Sequence, residues 1–178
     1  MSKQLLILVL TLGCLIQVHA QELLAPTQTF SKKKTAYITL ADGQQVEGIL
    51  KKVQRKKGQI EAVQLNTEGK VLKLSPADIK EMYLPESGFD KFAKAVDKAT
   101  DVQKWDNEAL DQGLLSEGYS FFENTDVQFN KKEMTLMMQL LNPSFSKSVK
   151  VYHDPMAQQT TSASVGGLTV AGGHAKSY

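Results

Sequence analysis

The chain has little of what chemistry usually needs. It carries one cysteine and three histidines in 178 residues. The cysteine, Cys14, lies in the apolar segment at the start, so the rest of the chain has no disulfide framework and must be held by its core. His153 and His174 are the histidines outside that segment, and they are far apart in sequence. His153 with Asp154 offers two donors, whereas a structural zinc site takes four ligands and a catalytic one three. We therefore expect no metal and no cofactor. No Gly-x-Ser-x-Gly elbow marks a nucleophile. "GGHAKS" contains Lys176-Ser177 but lacks the spacing and the following helix of a phosphate loop. Its glycine pairs fit hairpin turns better. Carboxylates such as Glu117 and Glu123 do acid–base work only in a cleft that raises a pKa, and sequence shows no cleft. Charge is also nearly balanced, at +2, which argues against nucleic acid as a partner of the whole chain.

What is present starts at the N-terminus. "MSKQLLILVLTLGCLIQVHAQE" has a positive Lys3, an apolar run from Leu5 to Val18, and Val18-His19-Ala20 before Gln21. That is the pattern of an export signal over residues 1–20, cleaved between Ala20 and Gln21. The run is shorter than the roughly 20 residues that cross a bilayer comfortably. A second reading makes "TLGC" a lipoprotein site, with Cys14 acylated and the chain anchored to a membrane. Thr11 fits that motif poorly, and apolar sequence continues past Cys14. The expected location is outside the cytoplasm, periplasmic or secreted.

Residues 21–34 are polar and lysine-ended and suggest a disordered tether. From Thr35 the pattern alternates. Thr35–Ala41 is a predicted strand, Asp42-Gly43 a tight turn, and Val46–Arg55 the return strand, with Gly48 marking a bulge or bend. Lys56-Lys57-Gly58 and Glu68-Gly69 turn the chain around strands at Gln59–Thr67 and Lys70–Leu74. Ser75, Pro76 and Asp78 form a capping-box pattern for one helical turn before a last strand at Glu81–Leu84. Five short strands of this kind, over residues 35–85, describe a small SH3-like or Sm-like barrel.

"ITLADGQQVEGILKKV" resembles the first two strands of an Sm-like domain, with an apolar strand, an Asp-Gly turn and a glycine in strand two. The resemblance covers about fifty residues. The asparagine-bearing nucleotide pocket of Sm proteins has no counterpart in "KKVQRKKGQIEAVQL", so the resemblance implies the barrel and not RNA binding. As a whole the chain resembles uncharacterised exported proteins of Gram-negative bacteria in which such a barrel follows a signal peptide. That resemblance implies a location and no activity.

Residues 86–113 are a predicted connector. Phe89, Phe92, Ala93, Val96 and Ala99 fall at helical spacing between Ser87 and Trp105, and Asp106–Leu115 is a predicted loop. Residues 114–178 form a predicted second, β-rich module. It has strands in "GYSFFENTDVQF" and "EMTLMMQLLN", alternation in "KSVKVYHDP", a loop in "MAQQTTSASVGG", and a last strand with a hairpin at Gly172-Gly173. The chain stops at Tyr178 in the middle of strand-like sequence, as a truncated C-terminus would. The fold class expected is mainly β, with one amphipathic helix.

Lysines crowd the first half, and Asp78 to Asp126 is rich in acids. The bland account is two solvated faces. The sharpest candidate site is the cluster Lys51, Lys52, Arg55, Lys56 and Lys57, able to touch an anionic ligand or an envelope partner. It has none of the interleaved aromatics that single-strand nucleic-acid binders use. A lysine-rich hairpin that protects a sheet edge is the plainer alternative. The expected function is a non-enzymatic binding or structural module of the envelope. The alternatives are an enzyme with groups near Tyr152, His153 and Asp154, and a lipid-anchored protein.

Overall fold

A computed structural model describes residues 23–88, 109–129, 132–155, 159–165 and 168–174. The predicted helix between Ser87 and Trp105 falls almost wholly outside these residues, and so do the export signal and both ends of its cleavage site.

The first five strands form where the turns place them. β1 (Thr35–Leu40), β2 (Gln45–Lys56), β3 (Gln59–Thr67), β4 (Lys70–Leu74) and β5 (Ile79–Pro85) are joined by hairpins and by a single 3-10 turn at Pro76–Asp78. The β2–β3 turn uses Lys57 and Gly58 at φ 50° and 83°, both left-handed. Such a pair matches the twist of the flanking strands. The Ser75–Asp78 capping box is made, with the Ser75 amide and hydroxyl 2.7 and 2.6 Å from Asp78 Oδ2.

The barrel is not. One antiparallel sheet runs in the order β4-β3-β2-β1-β5-β6-β7, with β6 at Tyr119–Phe129 and β7 at Lys132–Gln139. A five-stranded barrel would close β4 against β5. Here the free edge of β5 pairs with β6 instead, from Glu81↔Glu123 to Pro85↔Tyr119. The strands expected in a second module therefore extend the first sheet. Its inner face carries one core, in which Phe122 of β6 and Met137 of β7 pack with Ala36, Ile38, Leu50, Leu65 and Met82. β8 (Gln159–Val165) and β9 (Leu168–His174) make a separate two-stranded sheet.

Four further expectations are corrected. The tether is docked from Leu24 onward: Leu24 donates to the Leu141 carbonyl, Ser31 to Pro85, and Ser87 back to Thr29. Thr27 is 2% exposed. We call residues 24–32 the strap. Within the predicted loop 106–115, Asp111 caps a one-turn helix, α1 (Gln112–Ser116), by accepting from the Leu114 amide at 2.9 Å. Leu110 and Leu115 then pack with Phe121 and Leu140 on the outer face of the sheet. "KSVKVYHDP" does not form a strand. The Asn142 side chain takes the place of a ladder partner, donating to Val149 O at 2.6 Å and accepting from the Val151 amide at 2.7 Å. Finally, the small-residue loop is β8, and β9 runs straight through Gly172 and Gly173, paired with Ser162 and Thr161. Threonine and valine suit a strand as well as a loop there.

Candidate anion-binding groove

The five-residue basic cluster divides. Two irregularities in the β2–β3 pairing decide how. Leu50 pairs with Leu65 and Lys52 with Gln64, so Lys51 is an extra residue in β2. A bulge of this kind re-aims side chains. Leu50 turns into the core, and Lys51 and Lys52 both remain exposed. A second register shift falls between Gln54 and Arg55. Arg55 reaches over the strap, donating to Gln28 O and Thr27 O at 3.1 Å each, with its guanidinium 5.2 Å from the centre of the Phe30 ring. Lys56 faces Glu61 at 3.5 Å, and both side chains are more than half exposed. An ion pair so wet contributes little. Lys57 belongs to the turn. Arg55 is thus a clamp on the strap, and Lys56 and Lys57 belong to the hairpin tip.

Lys51, Lys52 and Arg55 line a groove of about 320 Å³ between β2 and the strap. The strap contributes Gln28, Thr29, Phe30 and a further cation, Lys32, and β2 adds Leu50 and Val53. The groove therefore has basic side chains from both walls and apolar surface between them. Sequence reasoning found the β2 lysines and missed Lys32 and Phe30, because both lie in the segment taken for a tether. The one available signal was Phe30, a lone aromatic in polar surroundings. It packs edge-on against Phe122, with ring centres 5.9 Å apart.

A wider groove of about 710 Å³ crosses the outer face of the sheet, lined among others by Tyr37, Glu47, Glu81, Tyr83 and Asp111. Its character is opposite. The Asp111 amide donates to Tyr83 Oη at 2.9 Å. Burial raises the Tyr83 pKa, and the charges of Glu81, Asp111 and Glu123 add to the rise. That phenol stays neutral and keeps its own proton to donate.

Around the other sequence candidate, the structure joins Tyr152 to Glu123. Tyr152 Oη donates to Glu123 Oε1 at 2.7 Å, and Lys150 Nζ lies 2.8 and 2.9 Å from the two carboxylate oxygens. Burial comes first in raising the Tyr152 pKa, followed by the hydrogen bond to Glu123 and its charge. His153 is held by its backbone, donating to Gln139 O at 2.9 Å beside the Leu140–Tyr152 bridge. Among the described residues, no group of three His, Cys, Asp or Glu side chains is placed to hold a metal ion. No described helix is long and apolar enough to cross a membrane. In comparisons with protein-family models, curated proteins and solved structures, nothing matches this chain.

Proposed function

We propose that this chain is a binding module whose ligand is an anion with an apolar portion, held in the groove between strap and β2. The observation that carries this reading is the convergence of Lys32 with Lys51 and Lys52, from separate segments, around the apolar surface of Phe30 and Val53. Cations on the rim orient a carboxylate or phosphate, and the apolar strip takes a hydrocarbon part. The export signal read over residues 1–20 supports a place in the envelope or outside the cell. There an acyl carboxylate or another amphipathic anion is a more plausible ligand than RNA.

Calorimetric titration with decanoate tests the proposal, with decanol and acetate offered separately as its apolar and anionic parts. Decanoate should bind more tightly than either. A surface charge pair at about 4 Å is worth roughly 1–4 kcal/mol. The Lys51→Ala/Lys52→Ala variant should therefore bind decanoate at least about tenfold more weakly. Equal affinity of variant and wild type, or no decanoate binding at all, would remove the groove as the site.

A further inference from the structure

We infer that Thr27 and Ser120, with the Glu86 carboxylate between them, are positioning residues for the groove, because they hold its strap wall in place. The inference rests on the reading of the groove as a binding site. None of the three lines the groove. Each lies behind it, at 2% exposure for Thr27 and Ser120 and 7% for Glu86. The Thr27 amide donates to Gln139 Oε1 at 2.9 Å. Its hydroxyl donates to Glu86 Oε1 at 3.2 Å and meets the Ser120 hydroxyl. Ser120 Oγ in turn donates to the same Glu86 oxygen at 2.8 Å. On the groove side, Arg55 grips the carbonyls of Thr27 and Gln28. The strap is thus held at one point from both sides, and the residues that follow that point, Gln28 to Phe30 and Lys32, are the groove wall.

Two consequences follow from linkage. A ligand that needs both walls binds only the docked strap, so it must stabilise docking, and docking must set its affinity. The apparent dissociation constant rises as the reciprocal of the docked fraction. A ligand seated on β2 alone would show neither effect.

Hydrogen exchange on the full chain separates these cases. The amides of Thr27, Ser31 and Ser87 report the strap, since each makes a bond that undocking breaks. Decanoate at ten times its dissociation constant should slow their exchange about tenfold. The amides of Val127 and Thr135, in the far part of β6–β7, should not change. Thr27→Ala and Ser120→Ala should each speed strap exchange about threefold to tenfold without ligand, leaving β2–β3 amides as they were. Thr27→Ser should restore the wild-type rate. The decanoate affinity of the Thr27→Ala/Ser120→Ala variant should fall by the factor that its own exchange data give for the docked fraction. Lys51→Ala/Lys52→Ala should weaken binding and leave strap exchange unchanged. Decanoate binding without strap protection would overturn the inference while leaving the groove standing. Unchanged strap exchange in both hydroxyl variants would overturn the role of Thr27 and Ser120. No decanoate binding in the wild type would overturn both readings together.

Discussion

Gly48 leaves no room for even a single methyl group. It lies in β2, paired with Ala36 of β1, one residue before the β2–β3 ladder begins at Ile49↔Asn66. Its φ is not in the left-handed region, where Gly43, Gly58, Gly69 and Gly118 lie. Space, not backbone conformation, is what the position demands. A Cβ built there falls 2.5 Å from Thr67 Oγ1 and 2.7 Å from the Asn66 carbonyl oxygen. The hydroxyl is committed, because it donates to Glu47 O at 3.0 Å. The carbonyl is backbone and cannot rotate away. Gly48→Ala must therefore push β2 from the end of β3. Overpacking of this kind costs about 1–3 kcal/mol. In a domain of this size that is a fall in melting temperature of roughly 2–10 °C. Gly48→Val should cost more.

Urea denaturation followed by circular dichroism would measure it, with the slope of the transition checked for constancy. Thr67→Ala supplies the internal control. Alone it destabilises by about 1 kcal/mol through the lost hydrogen bond. Combined with Gly48→Ala it relieves one of the two contacts, so the double variant should be more stable than the sum of the singles by about 0.5–1 kcal/mol. A Gly48→Ala protein within about 0.5 kcal/mol of wild type, the range of ordinary surface substitutions, would refute the steric reasoning.

Tyr152 and Asp78 give predictions at opposite ends of the pH scale. Folding holds the Tyr152 phenol neutral, chiefly by burial and then by Glu123. Its contribution to stability is complete below the unfolded value, about 10, and is lost as pH rises from there through the folded value. Tyr152→Phe should flatten the alkaline loss of stability in urea titrations, and an unchanged alkaline profile would contradict the assignment. Asp78 is held below its ordinary value of 3.8 first by the Ser75 hydroxyl and then by the Ser75 amide. Its contribution is complete above that value and disappears as pH falls through the lowered folded one. An NMR titration should place the Asp78 midpoint below 3.8. Ser75→Ala should move it up, and no movement would count against the hydrogen bond as the cause.

The first five strands were legible because local chemistry fixes them. Asp42-Gly43, Lys57-Gly58 and Glu68-Gly69 set the hairpins, and Ser75 with Asp78 sets the one turn before β5. Edge pairing was not legible. The alternation of "GYSFFENTDVQF" says that Phe122 and Phe121 face opposite ways. It does not say that the strand will take the open edge of β5. The strap was hidden for a related reason. Thr27 is buried only because Glu86, Ser120 and Gln139 meet it there, 59, 93 and 112 residues away in sequence. A threonine in a polar stretch carries no trace of such partners. Asn142 misled in the same manner: before Pro143 it signals a stop, and that signal says nothing of its side chain binding Val149 and Val151 in place of a strand.

These misses share a physical root that bears on the site. Within the stretch 35–85, β5 is left with an unpaired edge, and the inner face of its sheet lacks Phe122 and Met137, which complete the core. Once β6 takes that edge, Ser120 stands beside Leu84 and Phe122 beside Met82, and they provide what the strap needs. Ser120 reaches Glu86, and Phe122 offers a ring to Phe30. The strap can then lie along β2, and only then do Lys32, Lys51 and Lys52 line one groove. The Lys51, Lys52 and Arg55 part of "LKKVQRKK" is therefore one half of the proposed site. Its other half depends on β6 and β7, whose described side chains do not line the groove. A fragment ending at residue 85 would keep Lys32, Lys51 and Lys52 and lose the support that brings Lys32 to the other two.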